Sequence, residues 1–246
     1  MSAAFNIVRR APRRALLVVA NPAISTTPGW PVGFWASELT HPYHELTEAG
    51  WLVDIASPRG GKVEVDAYSD PRHDSGYSAH DILSLGFLTS PPHVRLLEAT
   101  RSLATCEPAA YDALVIVGGQ SPMFTFRADP TLQRFIAEAF DREKVVAALC
   151  HGVAALLDVR LADGSWLLAG RTVTGFSNGE EDLVDAMSGT RVMPFRIQDE
   201  ARGRGANFVC AAPWRPFAIR DGRLITGQQQ YSGAATSRLV LEAAGA

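Results

Sequence analysis

Residues 145–157 read Val-Val-Ala-Ala-Leu-Cys-His-Gly-Val-Ala-Ala-Leu-Leu. The first five are apolar at every position rather than at alternate ones. A strand made of them must be covered on both faces, which is the condition of an interior strand in a parallel sheet. Cys150, His151 and Gly152 then break the run, and small residues in a helical pattern follow at once. The segment predicts a strand–nucleophile–helix turn, a cysteine version of the nucleophile elbow. A thiol there would sit at the carboxyl end of a strand and the amino end of a helix, where the helix dipole and free N–H groups favour the thiolate.

The same strand signature recurs at Ala15–Ala20, Trp51–Ala56 and Ala113–Val117, the last followed by Gly118-Gly119. Helical stretches over about Phe34–Ala49 and Leu132–Phe140 lie between the runs, so we expect a parallel sheet with helices on both faces and right-handed crossovers. Later elements are less regular. Leu167–Thr174 predicts a short strand or hairpin around Gly170, and Glu180–Met187 and Phe195–Ala201 predict helices. Asn207–Cys210, Pro216–Ile219 and Leu224–Thr226 predict strands, with Asp221-Gly222 as a tight turn, and Ser232–Ala244 predicts a closing helix. The stretch Ser57–Pro92, rich in Gly, Pro, Ser and Asp, is expected as a long excursion near the strand ends.

With 246 residues the chain suits one large α/β domain over residues 15–246, preceded by a basic leader at 1–14 that carries Arg9, Arg10, Arg13 and Arg14. A net charge of −3 gives no reason to expect nucleic acid or an anionic membrane as partner. Cys106, Cys150 and Cys210 lack CxxC spacing, so neither a disulfide framework nor a thiolate zinc site is expected, and a reducing compartment, the cytoplasm, fits best. No apolar run reaches membrane-spanning length.

Cys150 is the first candidate for chemistry, because catalytic groups of open parallel sheets cluster at the carboxyl ends of strands; the ordinary alternative is a buried structural cysteine. His151 is a candidate base, with a helix cap or surface histidine as an equal alternative. A carboxylate would have to orient it. The run Glu180-Glu181-Asp182 offers one, although acids are also favoured in a first helical turn, where Ser177 or Asn178 would be the cap. Gly118-Gly119-Gln120-Ser121 directly after a strand allows close backbone approach and exposes amides, as an oxyanion hole requires. Glu38, His41 and His44 are three apart and could share a helix face, but Pro42 is expected to disturb that helix and no zinc spacing is matched, so no metal is expected. A buried, protonated carboxyl near Cys150 would be able to donate to the thiolate or relay a proton.

Taken together and in order, these segments resemble the ThiJ/PfpI superfamily, which shares the class I glutamine amidotransferase-like fold, and within it the glyoxalase III and heat-inducible chaperone branch. The resemblance runs from about Leu16 to Leu241. It is carried by Glu38 with Thr40-His-Pro-Tyr43, Ala49–Gly61, Asp66 and Ser69, Gly118-Gly119, Ala148–Gly152, Val173–Phe176 with Glu181, Pro213-Trp214 and Asp221–Gln228. It implies a flavodoxin-like three-layer α/β sandwich, a homodimer, and cofactor-independent turnover of a small-molecule 2-oxoaldehyde such as methylglyoxal to a 2-hydroxy acid. By position, it implies Cys150 as nucleophile, His151 as its partner, Glu181 as the acid with Glu180 and Asp182 as rivals, and Glu38 as the carboxyl at the thiol. The amides of Gly119 and His151 would form the oxyanion hole, and Gln120 and Ser121 would line the substrate pocket. Two departures are visible. Gln120-Ser121-Pro122 follows the pair Gly118-Gly119 where the branch commonly has histidine after the glycine pair, as Gly-Gly-His-Gly, which changes the pocket rim, and Val153 stands where proline is frequent. The change at Gln120 keeps open another cysteine hydrolase or hydratase on the same fold; a stress chaperone and a redox-sensing protein are further alternatives.

Overall fold

The structure, a computed structural model, describes residues 11–245. Its frame is a seven-stranded sheet. In chain order the strands are β1 (Arg14–Val18), β2 (Leu52–Ser57), β3 (Arg101–Ser102), β4 (Ala113–Ile116), β5 (Val145–Leu149), β6 (Ala218–Asp221) and β7 (Leu224–Gly227). Across the sheet they run β6-β7-β5-β4-β1-β2-β3. Every neighbouring pair is parallel except the β6–β7 hairpin at one edge.

Residues of each central strand alternate between two separate cores. Leu16, Val18, Leu114, Ile116, Val146 and Ala148 belong to one. Ala15, Leu17, Val19, Val115, Ala147 and Leu149 belong to the other. Both layers are fully covered, which is why the strands read as unbroken apolar runs. On the first face lie the helices over Pro130–Asp141 and Ile197–Gly203. On the second lie α1 (Ala36–Glu48), the helices over Ile82–Thr89 and Pro91–Glu98, and the closing helix Gly233–Ala243.

Several expectations shift. Of the anticipated leader, residues 1–10 lie outside the described residues, while Arg14 opens β1 and pairs with Asp54, so the folded body begins before residue 15. Pro42 does not break α1: the helix continues through it. The hairpin turn is Gly222-Arg223 rather than Asp221-Gly222, because Asp221 and Leu224 are already cross-strand partners; Gly222 supplies φ +62°. The excursion after Ser57 holds two helices. The first is capped by the Asp81 carboxylate accepting from Ser84 N–H, and the second opens on Pro91, whose fixed φ suits a helix start. Among the described residues no helix is long and apolar enough to cross a membrane.

The strand order reverses direction at β1, with β2 added on one side and β4 on the other. Sheets of this kind place their crevice at that switch point, beyond the carboxyl ends of the strands. The fully buried Ile116, in the middle of the first core, tests the packing that fixes it. Ile116→Ala should lose about 2–5 kcal/mol of unfolding free energy in a denaturant titration, with secondary structure retained by circular dichroism.

Candidate active site

At the end of β5 the chain turns so sharply that Cys150 adopts φ +56°, in the left-handed region that non-glycine residues avoid. Such strain is of order 1–3 kcal/mol and persists only where the surroundings impose it. Here Leu149 completes a buried strand, and residues Cys150–Leu156 coil into a 3-10 helix that is buried throughout. The thiol is therefore aimed out of the sheet end, beside the end of β4.

That neighbouring strand runs into Gly118-Gly119, and side chains are excluded there. A Cβ on Gly118 would come within 2.9 Å of the Cys150 Cβ and 2.7 Å of the Leu149 carbonyl. Gly119 has φ +105° and lies against the backbone of Phe34 and Trp35. The paired glycines let the start of α1 reach Cys150.

Glu38, in the first turn of α1, is fully buried. Its Oε2 accepts from Gly118 N–H at 2.9 Å, and its carboxyl lies against the Cys150 thiol. Burial pushes its pKa from 4.5 up to about 8, so at neutral pH the carboxyl holds its proton. The thiol is also pushed up, first by burial and then by the charge that Glu38 would carry. This corrects the expectation that the helix end favours the thiolate. The helix is a short 3-10 segment with few aligned peptides, and the loss of water around the sulfur outweighs its field. The resting pair is a neutral thiol beside a neutral acid.

His151 lies next to the thiol, with Nδ1 3.9 Å from Cys150 Sγ. Its Nε2 is 3.1 Å from Glu181 Oε1. With the Nε2–H donated to Glu181, Nδ1 presents a lone pair to the sulfur; this tautomer follows from the hydrogen-bond network. Both side chains are buried, and the imidazole rests on Phe176 at 4.3 Å between ring centroids.

The three acids in sequence separate cleanly. Glu180 closes a capping box with Ser177 and also accepts from Trp214 N–H and Gln228 Nε2. Asp182 is turned outward to Arg196, leaving Glu181 at the histidine.

Asp66, a landmark of the resemblance that the residues alone gave no role, is 2% exposed and ties the loop together. Its two oxygens accept from Gly33 N–H at 2.8 Å and Gln120 N–H at 2.6 Å. Burial raises its carboxyl to about 6, against the pull of those amides and of His151. A lone acid in an irregular stretch has no periodicity to mark it. With Gly118 N–H held by Glu38 and Gln120 N–H by Asp66, the Gly119 amide lies between two anchored neighbours. His151 N–H points at Cys150 Sγ.

The two pocket residues expected from the sequence diverge. Gln120 reaches the surface layer, where its Oε1 accepts from Trp30 Nε1 at 2.9 Å. Ser121 is fully buried and donates to the Asn21 carbonyl, so it braces the loop instead of lining a pocket. His41 pairs with Asp81 at 3.0 Å rather than joining Glu38 and His44. Among the described residues no three acidic, histidine or cysteine side chains converge as a metal site would require.

A thiol at a strained strand-to-helix turn thus stands beside a histidine–glutamate pair and a buried acid at the strand ends of a doubly wound α/β sheet. The comparisons narrow this further: the sequence profile of the DJ-1/PfpI family matches residues 32–243, and the chain belongs to that family. The probable glutathione-independent glyoxalase hsp3103 of Schizosaccharomyces pombe is 28% identical over 233 residues, covering 85% of this chain and 89% of the yeast protein. The Rapid Encystment Protein 24 kDa of Francisella tularensis superposes with a TM-score of 0.85 at 27% identity, over 94% of this chain and 99% of its own. Glyoxalase III of Candida albicans shares the fold, with a TM-score of 0.80 at 24% identity over 94% of this chain and 97% of that one.

The raised Glu38 carboxyl has a thermodynamic consequence. Between pH 4.5 and about 8 the folded state keeps a proton that the unfolded state releases, so stability falls as pH rises across that window. Asp66 adds a smaller fall from 3.8 to about 6. Melting temperatures measured from pH 5 to 8 should therefore decline in the wild type. The decline should be flatter by roughly several degrees in Glu38→Gln, which cannot ionise.

Proposed function

We propose that the protein is a glutathione-independent glyoxalase that converts a 2-oxoaldehyde and water to a 2-hydroxy acid through Cys150. The observation that carries this reading is the pairing of the Cys150 thiol with two distinct proton carriers. His151 stands on one side, oriented by Glu181, and a buried acid, Glu38, whose pKa lies near 8, stands on the other. Membership of the DJ-1/PfpI family and relatives named as glyoxalases support it.

The chemistry needs no outside oxidant. His151 Nδ1 takes the thiol proton as Sγ attacks the aldehyde carbon, and the resulting alkoxide is protonated to a hemithioacetal. Imidazolium formation is favoured by the Glu181 carboxylate behind the ring. The hydrogen on the former aldehyde carbon then leaves as a proton, and a proton is returned to the adjacent carbon by way of an enediol. One carbon is oxidised as its neighbour is reduced. Glu38 and His151 are the groups placed to carry these protons, a contribution of about 10²–10⁴ in rate. Water hydrolyses the thioester so formed, releasing the 2-hydroxy acid and restoring the thiol. The amides of Gly119 and His151 are the donors we assign to the developing oxyanion.

Because Glu38 acts as an acid in this scheme, kcat/KM should fall as pH rises through about 8, where its ionisation puts a second negative charge beside the sulfur. The direct test is formation of lactate from methylglyoxal without glutathione. The wild type should turn over. Cys150→Ala should lose activity to background, and Glu181→Gln should lose about 10- to 100-fold in kcat with its fold retained. A folded wild type with a reactive thiol and no lactate formation would transfer the cysteine to another reaction, such as hydrolysis or hydration.

A further inference from the structure

At the start of α1 lies a cavity of about 240 Å³ that the chemistry above does not use. Trp35, Tyr77, Tyr231, Ile82, His41 and Asp81 are among its walls. It adjoins the site through Trp35 and Tyr77. Trp35 N–H donates to the Gly118 carbonyl at 3.1 Å, and the Tyr77 hydroxyl lies within electrostatic reach of Cys150. The space is well beyond what a three-carbon aldehyde fills and approaches the lower end of small-molecule pockets, ~300 Å³.

Its surface chemistry is specific. Tyr68, Tyr77 and Trp35 form an edge-to-face chain with centroids 6.2 and 6.0 Å apart. Tyr77, Tyr231 and Ile82 are 43%, 40% and 71% exposed, so the mouth presents aromatic and aliphatic surface to solvent. Gln230 Nε2 fixes the inner end by donating to the Tyr77 hydroxyl at 3.3 Å. No lysine or arginine lines the cavity. Burial works against the charge of Asp81, but hydrogen bonds from His41 and Ser84 bring its carboxyl down to about 2, and its partner His41 stands on the same wall. An anionic side group would find no lysine or arginine there and would face a carboxylate already paired. A flat uncharged ring would find edge-to-face partners on two sides.

We propose that this pocket selects 2-oxoaldehydes whose second substituent is an uncharged aromatic ring, in preference to the methyl group of methylglyoxal. The inference rests on the glyoxalase reading and names the substrate class of that same site. The aldehyde carbon would lie at Sγ and the ring in the cavity, against Tyr77 and Tyr231.

The test is the initial rate of the full chain with phenylglyoxal and with methylglyoxal, each read as its 2-hydroxy acid. The wild-type ratio of kcat/KM, phenylglyoxal over methylglyoxal, should be ~10 or more, which is the scale of discrimination an apolar pocket supplies. Tyr231→Ala should lower that ratio ~10-fold, and Tyr231→Phe should keep it within about twofold, because the ring and not the hydroxyl carries the contact. If Tyr231→Ala does not fold, Ile82→Asp at the exposed rim should lower the ratio in the same direction. A wild-type ratio of one or less with good methylglyoxal turnover overturns the proposal while leaving the glyoxalase reading intact. A ratio that none of the pocket variants moves overturns it too. Turnover of neither aldehyde removes the glyoxalase reading itself, and this inference with it.

Discussion

The contact on which the site depends is the one between Glu38 and the end of β4. A carboxyl in the first turn of α1 accepts the Gly118 amide across the gap between α1 and the sheet. That bond fixes where α1 begins, and so the positions of Trp35 above the glycine pair and of the pocket that Trp35 helps to wall. It also explains the glycines: any side chain at Gly118 would occupy the space in which the carboxyl and the thiol meet. Sheet topology supplies the crevice, and this hydrogen bond decides what stands in it.

Four ionisable groups then share a small dry volume: Cys150, His151, Glu181 and Glu38, with Asp66 behind the loop. Were all the acids charged, the thiol could not ionise. The arrangement divides them by environment. Glu181 faces an imidazole, whereas Glu38 has an amide and a thiol and stays protonated until about pH 8. Surroundings of different kinds are also what divides acid and base work between paired carboxyls elsewhere.

How much of this was legible in the sequence follows from burial. β1 from Ala15 onward, β4 and β5 announce themselves because every residue is apolar, a consequence of two covered faces. The antiparallel edge strand β6 has a mixed pattern, and its start is displaced by two residues from the expected Pro216. The helices over Ile82–Thr89 and Pro91–Glu98 hid in a stretch dominated by turn-forming residues, although an aspartate cap and a proline start were both present. At the site, Cys150 and His151 stand out by position along the chain, whereas Glu38 was placed at the thiol only by the resemblance. Among Glu180, Glu181 and Asp182 the resemblance pointed to Glu181; consecutive helical residues point about 100° apart, and packing turns Glu181 to the histidine. Ser121 misled because a residue after a glycine pair can turn either way, and here its hydroxyl found a carbonyl inside.

The left-handed conformation of Cys150 carries a consequence for how such a chain changes over time. The backbone there suits glycine better than any residue with a side chain, so replacement of the cysteine by glycine would relieve strain. Selection for a stable fold and selection for chemistry pull this residue in opposite directions. A lineage that no longer needed the thiol would not merely tolerate a glycine there; it would drift toward it, keeping the sheet, the glycine pair and the buried acid as a scaffold around the vacated position.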